Sequence, residues 1–338
     1  MIAHNGEREF NVEFFGEKIV PIASGQSILR ASLGAGIPHF HACGGNAKCS
    51  TCRVMVLEGG EFLSEQNRAE TKLKDKIGLP AAVRLACQTH VLGGFVKVER
   101  MLKDHADLPD VVLLDEKRPG KFKLKPLGQE KHLVLFFLDI RNFTTFVETH
   151  PPFDVVYAMR KIFGTFFDVL SKHDGDVLET AGDEIYAIFG MNTHLKAAAD
   201  SGIAASLEIL VALDELNNTY HNILQNKMEV GIGLHSGSVV LGKISVGGKP
   251  KLSTVGLAIN VASRIQQHTK KLNNSILVSE VVIRQSSMKP KTEGTKLKLD
   301  GVSSPVSVYA LGKPYARPQV TQELTGGGRA TRSQDLSN

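Results

Sequence analysis

The spacing of apolar and polar residues changes along the chain, with a break near residue 131. Before the break, apolar residues alternate with polar ones in short runs, and the pattern predicts a small β-rich domain over 1–100 with one helix at 27–35. The predicted strands of this domain cover 10–15, 17–21, 53–57 and 94–98. Two stretches with different patterns predict two domains, because each needs a core of its own.

After the break, the predicted elements are longer. Apolar residues recur at helical spacing over 153–171, 197–217 and 258–272, and each stretch predicts an amphipathic helix. The predicted strands cover 133–138, 177–178, 185–189 and a pair at 230–234 and 239–244. We therefore expect an α+β domain over 132–314, preceded by a proline-containing linker at 101–131 and followed by a disordered tail at 315–338.

Composition and charge narrow the range of functions. The net charge of +5 is spread along the 338 residues, and the densest basic run, at 117–125, lies in the predicted linker. The pattern therefore does not predict nucleic-acid binding. The start of the chain has no secretion signal, and no apolar run approaches the length of a membrane span. We expect a cytoplasmic protein that binds neither nucleic acid nor a membrane.

All four cysteines, Cys43, Cys49, Cys52 and Cys87, lie in the first 90 residues. A disulfide framework is typical of small secreted chains, so these clustered thiols need another explanation. The residues between the first three cysteines are small, which lets the loop close around a metal centre. Structural zinc sites more often use two CxxC pairs, whereas this chain has one pair and two single cysteines. The spacing favours an iron–sulfur cluster and leaves zinc and unligated thiols open.

The gap of five residues between Cys43 and Cys49 and the segment RLACQTHVLGG around Cys87 resemble the adrenodoxin-like ferredoxins. The resemblance covers most of the first predicted domain. It implies a β-grasp fold, a [2Fe–2S] cluster held by all four cysteines, and a possible redox partner. His39 and His41 precede the first cysteine, and we expect both to be ordinary loop residues because a Rieske site needs paired Cys/His motifs.

Three later segments carry polar residues in places that suit catalysis. The apolar strand in LVLFFLDIRNFTTF ends at Asp139, and LETAGDEIYAIF places Asp183 in the turn between two strands. Two carboxylates at the ends of adjacent strands can share two divalent cations. In VGLAINVASRI, Asn260 and Arg264 are four residues apart and therefore lie on one helix face. Alone, such features are also common as a turn cap, a hairpin or a surface pair.

Taken in this order, the segments resemble the catalytic domain of class III adenylyl and guanylyl cyclases over about residues 133–311. The resemblance implies a ferredoxin-like βαββαβ fold. It implies an enzyme that converts a nucleoside triphosphate to a 3′,5′-cyclic nucleotide and pyrophosphate with two Mg²⁺ or Mn²⁺ ions. Asp139, Asp183 and the backbone carbonyl of Ile140 would bind these metals.

The same resemblance implies the substrate contacts. Backbone N–H groups of Asn142, Phe143 and Thr144 would hold the triphosphate at the start of a helix. Asn260 would orient the ribose, and Arg264 would stabilise the charge that develops on the α-phosphate.

Two positions in this family select the base. Guanylyl cyclases usually carry Glu at the position of Glu179 and adenylyl cyclases carry Lys, so Glu179 slightly favours GTP. Ser253, at the second position, can hydrogen-bond to either base, so ATP stays open. Asp300 occupies the position of the family's phosphate-binding lysine, and Lys298 or Lys296 would substitute from nearby.

The resemblance also implies a homodimer with shared active sites. Asp139 and Asp183 of one subunit would work with four residues of the other, which are Glu179, Ser253, Asn260 and Arg264. A cluster in the first domain would then make that domain a regulator that responds to redox state, to an oxidant or to a gas such as nitric oxide. Two alternatives stay open: a ferredoxin-type electron carrier with a cyclase-like dimerisation module, and a constitutive cyclase whose cluster only stabilises the fold. His235 lies in an apolar strand, and we interpret it as structural.

Overall fold

The computed structural model describes residues 9–103, 113–114, 122–123, 128–224, 226–246, 249–290 and 293–316. The chain divides into two compact units: Met1–Lys131 with Val239–Gly256, and His132–Ser238 with Leu257–Asn338. Most of the predicted linker at 101–131 and nearly all of the predicted tail at 315–338 lie outside the described residues.

A mixed five-stranded sheet organises the first unit. Its strands are β1 (Glu9–Phe14), β2 (Lys18–Ala23), β3 (Arg53–Glu58), β4 (Val83–Leu85) and β5 (Phe95–Arg100). The order is β2-β1-β5-β3-β4, in which β1 and β5 are parallel and the other neighbours are antiparallel. Alternation buries Val12, Phe14 and Val96 completely. The four strands predicted from alternation are therefore confirmed.

Helix α1 (Ile28–Gly34) matches the predicted helix of the first unit. It begins after Ser27, whose hydroxyl accepts a hydrogen bond from the backbone N–H of Arg30 at 3.3 Å. The apolar side chains of Ile28 and Leu29 are buried in the same core as the sheet. A short 3₁₀ turn follows β3 at Gly60–Phe62.

A second helix in this unit, α2 (Arg68–Ile77), was not predicted, and the expectation of a single helix is wrong. Its sequence RAETKLKDKI has too few apolar residues to show a helical stripe. A buried charge pair holds the helix instead. The carboxylate of Glu70 accepts hydrogen bonds from Arg84 at 2.9 and 3.0 Å and from the N–H of Leu85 at 2.8 Å.

Two further pairs of strands belong to the first unit. A short antiparallel ribbon joins β6 (Leu113–Leu114) to β7 (Phe122–Lys123). Strand β12 (Lys249–Val255) pairs with residues 240–246 of a strand that begins in the second unit.

The second unit is built on a larger sheet with the order β14-β15-β13-β11-β8-β10-β9. Its strands are β8 (Gly128–Ile140), β9 (Gly175–Ala181), β10 (Glu184–Phe189), β11 (Val230–Val246), β13 (Ile276–Ser279), β14 (Thr295–Leu297) and β15 (Val306–Ala310). Its helices are α3 (Phe143–Thr149), α4 (Pro152–Lys172), α5 (Leu195–Thr219), α6 (His221–Leu224), α7 (Leu257–Lys271) and α8 (Glu280–Gln285). The mixed α+β class expected for both halves is confirmed.

The three amphipathic helices predicted after residue 131 correspond to α4, α5 and α7. Each buries its apolar stripe, as shown by Phe166 of α4, Ile209 of α5 and Ile265 of α7, which are completely buried.

Strand β11 corrects one prediction. Residues 230–234 and 239–244 were expected to pair with each other, but they are consecutive parts of one strand. The intervening HSGS looked like a turn because of its small and polar residues. The strand instead continues through it, and its second half pairs with β12.

Glycine 233 lets helix α7 lie directly on β11. A Cβ atom at Gly233 would lie 2.7 Å from the Cα of Gln266 and 2.8 Å from the carbonyl oxygen of Ala262, both in α7. Such distances are too short for real carbon contacts, so the helix backbone needs a glycine here. This close packing sets the position of the helix that carries Asn260 and Arg264.

We expect Gly233→Ala to lower the free energy of unfolding by about 1–3 kcal/mol, because the added methyl overpacks the contact between strand and helix. Urea unfolding of the whole chain, followed by circular dichroism, measures the change. Gly164→Ala in α4 is the matched control, since a Cβ there meets nothing within 4 Å. It should stabilise the protein by up to about 1 kcal/mol. Equal effects of the two substitutions would contradict the close-packing argument.

Candidate functional site

The four cysteines form two hydrogen-bonded pairs, Cys43 with Cys49 and Cys52 with Cys87. Their loop folds back tightly: Gly44, Gly45 and Ala47 all have positive φ, between 52° and 84°. This conformation turns successive N–H groups toward one side of the loop.

Backbone amides in this loop donate hydrogen bonds to sulfur. The N–H groups of Asn46, Lys48 and Cys49 donate to Cys43, and that of Ala47 donates to Cys87. The hydroxyl of Thr51 lies 3.1 Å from the sulfur of Cys49. Donors of this kind stabilise thiolates, which are the form of cysteine that binds metal.

The pKa values of the thiols differ within each pair. The hydrogen bond from Cys49 lowers the pKa of Cys43 to about 5, and the backbone amides add to this effect. The hydrogen bond from Cys52 lowers the pKa of Cys87 to about 7. The pKa values of Cys49 and Cys52 are raised, first by these same hydrogen bonds and then by burial. Each pair therefore holds one readily formed thiolate.

This donor set fits a two-iron cluster. In a [2Fe–2S] centre, two irons share four thiolates, and two pairs of thiols supply two to each iron. A single zinc ion would instead need its thiolates gathered around one point. Among the described residues, no group of three or more His, Cys, Asp or Glu side chains is arranged around one metal position.

Gln88 is a neighbour of the cysteines that the sequence reasoning missed. Its side-chain amide donates to the sulfur of Cys87 at 3.3 Å and to the carbonyl oxygen of Gly45 at 3.1 Å. The amide of Asn67, the N-cap residue of α2, donates to the oxygen of Gln88 at 2.9 Å and so fixes its orientation. In the sequence, only the position of Gln88 directly after Cys87 indicated that it could lie near the sulfur atoms.

The two histidines before the cysteine loop lie in a segment without regular secondary structure, as expected. His39 and His41 are both buried. His39 lies 2.9 Å from the hydroxyl of Ser32, and burial lowers its pKa to about 3, with the charge of Arg100 adding to the effect. His39 is therefore a neutral core residue.

Asp139 and Asp183 meet at the ends of adjacent strands, as the sequence suggested. Asp139 is the penultimate residue of β8 and lies opposite Glu184, the first residue of β10. Gly182 and Asp183 form the two-residue turn between β9 and β10, and Gly182 supplies the positive φ of 61° that the turn needs. The two carboxyl groups lie close enough to share a hydrogen bond when one of them is protonated.

The pKa of Asp183 is raised to about 6. Burial is the main cause, followed by the hydrogen bond to Asp139 and by its charge. Burial also raises the pKa of Glu184, together with the charges of Asp139 and Glu179. Carboxylate oxygens held this close fit Mg²⁺ or Mn²⁺, since a divalent cation relieves their repulsion.

The side chain of Arg141 is the second feature that the sequence reasoning missed. It is buried, and its Nη1 donates to Oδ2 of Asp139 at 2.7 Å. Its remaining contacts come from residues more than 120 positions away, so no local pattern could reveal them.

The residues expected to bind triphosphate lie at a helix start. Asn142 adopts a left-handed conformation with φ of 55° immediately before α3, and Phe143 and Thr144 are the first residues of that helix. Phe143 packs against the core, whereas Asn142 and Thr144 are exposed. The side chain of Ile140 is buried.

The other expected substrate residues lie on separate elements. Asn260 and Arg264 share α7, and Glu179 is exposed on β9. Ser253 pairs with Gly242 across β11 and β12. In the described part of the chain, no hydrogen bond or ion pair joins Asn260 or Arg264 to either aspartate.

Two further residues singled out in the sequence are Lys298 and His235. Lys298 is exposed in the segment between β14 and β15. His235 lies in β11, 3.0 Å from the hydroxyl of Ser279, and burial lowers its pKa to about 4, with the charge of His132 adding to the effect. These contacts agree with a structural role for His235.

Known proteins match both halves of the chain. Residues 127–311 match the adenylate and guanylate cyclase catalytic domain, and residues 15–92 match the 2Fe-2S iron-sulfur cluster binding domain. Adenylate cyclase 1 of Rhizobium meliloti is 28% identical over 185 residues, which are 54% of this chain and 27% of that protein. Adenylate cyclase of Anabaena cylindrica is 27% identical over 192 residues, which are 54% of this chain and 37% of that protein.

Solved structures add a match to the fold. The guanylyl cyclase Cya2 is 26% identical with a TM-score of 0.50, covering 57% of this chain and 97% of that chain. The adenylyl cyclase CyaB from P. aeruginosa is 20% identical with a TM-score of 0.50, covering 56% of this chain and 97% of that chain.

The cyclase match covers more than half of the chain, so the protein belongs to the adenylate and guanylate cyclase catalytic domain family, with a 2Fe-2S cluster binding domain before it. The chain spans about a third of the length of the curated relatives that it matches. Among the described residues, no helix is long and apolar enough to cross a membrane.

We expect Gln88→Leu to lower the reduction potential of the cluster, because the amide donor stabilises the extra negative charge of the reduced state. Potentiometric titration followed by visible absorbance and by the EPR signal of the reduced cluster measures the shift. Gln66→Leu, at an exposed glutamine outside the cysteine loop, is the matched control. An unchanged potential in Gln88→Leu would show that this amide does not tune the cluster.

Proposed function

We propose that this protein is a nucleotidyl cyclase that converts a purine nucleoside triphosphate to a 3′,5′-cyclic nucleotide and pyrophosphate. The observation that carries this proposal is the pair of acidic residues, Asp139 and Asp183, whose carboxyl groups lie within interaction distance at the ends of adjacent strands in a chain of the cyclase family. This is an oxygen-donor site at the position where the family resemblance requires one.

The mechanism divides among the residues of the chain. Asp139 and Asp183, with the carbonyl of Ile140, hold two Mg²⁺ or Mn²⁺ ions, which when bound supply activation of the ribose 3′-hydroxyl and neutralisation of the leaving pyrophosphate. Asn260 orients the ribose for in-line attack on the α-phosphorus, and Arg264 stabilises the charge that develops there.

Backbone N–H groups and a lysine side chain bind the triphosphate. The backbone N–H groups of Asn142, Phe143 and Thr144 bind its oxygens, and the exposed ammonium group of Lys298 binds the phosphates in place of the family lysine, whose position holds Asp300. Glu179 and Ser253 contact the base. A carboxylate accepts from the N1–H and the amino group of guanine, and a hydroxyl donates to O6. The same two groups can accept from the N6 amino group of adenine and donate to its N1, so it is the family preference for Glu at position 179 that favours GTP.

The active sites are shared in a homodimer. Asp139 and Asp183 of one protomer work with Asn260 and Arg264 of its partner, as the family resemblance implies. Holding the metal ligands and the α-phosphate contacts on different protomers makes activity depend on how the two protomers are placed.

The [2Fe–2S] cluster regulates this activity. Lys48, inside the cysteine loop, donates its backbone N–H to Cys43, and its side chain forms an ion pair with Glu130. Both residues lie in the first unit, and Glu130 is part of β8, the strand that carries Asp139. A change in cluster charge therefore acts on a residue that is connected to the metal ligand by a single strand.

We expect the cluster-loaded protein to release pyrophosphate from GTP faster than from ATP with Mn²⁺, and to form the cyclic nucleotide in equal amount. Glu179→Lys should shift the ratio of kcat/KM values toward ATP, because an ammonium group cannot accept from the guanine N–H groups. Chromatography of the nucleotides measures both. No turnover of either nucleotide would contradict the cyclase proposal and favour an electron carrier with a cyclase-like dimerisation module.

The same assay tests whether the active sites are shared between protomers. Asp139→Ala and Arg264→Ala proteins should each be inactive alone, whereas a mixture should regain part of the activity because each heterodimer keeps one intact site. Well-formed heterodimers without activity would contradict sharing between protomers.

We expect cyclase rates with the cluster oxidised and dithionite-reduced to differ about fivefold or more, the range typical of coupling between sites. Lys48→Gln keeps the backbone amide but removes the ion pair, and should bring the ratio of rates closer to one. Lys103→Gln, at another half-exposed lysine paired with Glu99, is the matched control. Equal rates in both redox states of the wild type would contradict redox control.

A further inference from the structure

The guanidinium group of Arg141 lies between the metal aspartate and helix α7. Only 6% of its side chain is exposed. Nη1 donates to Oδ2 of Asp139 at 2.7 Å, Nη2 donates to the hydroxyl of Thr269 and to the carbonyl oxygen of Gln266 at 3.5 Å, and Nε donates to the hydroxyl of Tyr315 at 3.3 Å. The three nitrogens thus have partners on three different parts of the second unit.

The fold provides a slot for this side chain. A Cβ atom at Gly231 would collide with Nη2 of Arg141, so the absence of a side chain on β11 makes the space. Tyr315 covers the slot with its ring, whose centre is 5.5 Å from the guanidinium carbon. The backbone N–H of Arg141 donates to the carbonyl oxygen of Glu229 at 2.7 Å and anchors the base of the side chain.

The walls of the slot are themselves fixed by hydrogen bonds. The hydroxyl of Thr269 donates to the carbonyl oxygen of Gln266 at 2.5 Å, and the side-chain amide of Gln266 donates to the carbonyl oxygen of Gly231 at 3.1 Å. Helix α7 and strand β11 therefore hold the guanidinium from two sides.

A buried guanidinium is costly unless it is paired, and here its charge partner is Asp139. Asp139 is also close to two other acidic residues, Asp183 and Glu184, whose pKa values are raised first by burial and then by its charge. The guanidinium, which its other partners hold in place, donates from one nitrogen to one oxygen of Asp139 and so restrains this carboxylate against that repulsion. Oδ1, the other carboxylate oxygen of Asp139, makes no hydrogen bond to Arg141.

We propose that Arg141 is a positioning residue for the metal site: it holds the carboxylate of Asp139 in its binding orientation and ties it to helix α7. The proposal rests on the proposed cyclase function, for which Asp139 is a metal ligand. It assigns to Arg141 no contact with substrate. Since α7 also carries Asn260 and Arg264, which serve the other active site of the proposed homodimer, one guanidinium links the metal ligand of one site to the helix that serves the other.

The test is Arg141→Lys, which keeps the positive charge but loses the planar fork. We expect the Mn²⁺ concentration for half-maximal cyclase rate to rise about tenfold or more, as is typical when a residue that orients a metal ligand is changed. Tyr315→Phe keeps the ring and removes one acceptor, and should give a smaller rise of the same sign. Arg284→Lys, in an exposed ion pair with Glu280, is the matched control and should change nothing.

Thermal unfolding, EPR titration with Mn²⁺ and the turnover of ATP and GTP together separate the explanations. Thermal unfolding reports whether a variant is folded, and EPR titration of the protein with free Mn²⁺ reports metal affinity without turnover. A folded Arg141→Lys or Tyr315→Phe protein with unchanged Mn²⁺ affinity would overturn the proposal. Wild-type protein that turns over neither ATP nor GTP would overturn the cyclase function, while the EPR titration would still decide whether Arg141 orients the metal ligand.

Discussion

The contact between Asp139 and Asp183 is the constraint on which the second half of the structure depends. Two carboxylates repel each other, and here the pairing of the strands and the turn between them hold the two groups close together. Pairing of β8 with β10 brings Asp139 beside the start of β10, and the turn at Gly182 places Asp183 next to it. Arg141 then balances part of the charge. The site stores a local excess of negative charge that a divalent cation can relieve.

The first half of the chain also holds groups that carry negative charge close together, but it stabilises them with different chemistry. Four thiols are held in two close pairs, and their negative charge is compensated by N–H groups of the loop and by the amide of Gln88 rather than by a cation. N–H donors suit a cluster whose charge changes by one electron. They stabilise the more negative reduced state more than the oxidised state, and so they help to set the reduction potential. A fixed guanidinium suits a carboxylate that must keep one orientation.

Elements with a strong apolar pattern could be predicted from the sequence, and those held by polar contacts could not. The amphipathic helices α4, α5 and α7 followed from periodicity, as did the strands β1, β2, β3, β5, β8, β9, β10 and β11. Strands β4 and β12 to β15 were not predicted. Helix α2 escaped because its buried residues include Glu70 and Lys74. The positions of Asp139 and Asp183 were predictable because each marks a strand end, whereas the role of Arg141 depends on Thr269, which is 128 residues away. Their catalytic roles rest on resemblance and stay predictions.

The turn at Gly182 and Asp183 has a consequence for how the chain tolerates insertions and deletions. Surface loops usually accept extra residues at little cost, because the entropy of loop closure grows slowly with length. This turn has no such freedom, since one added residue would lengthen the connection and carry Asp183 away from Asp139. A deletion would shift the register of β9 against β10 and turn Glu179 to the opposite face of the sheet. Length variation among related chains is therefore expected in other connections and not in this hairpin.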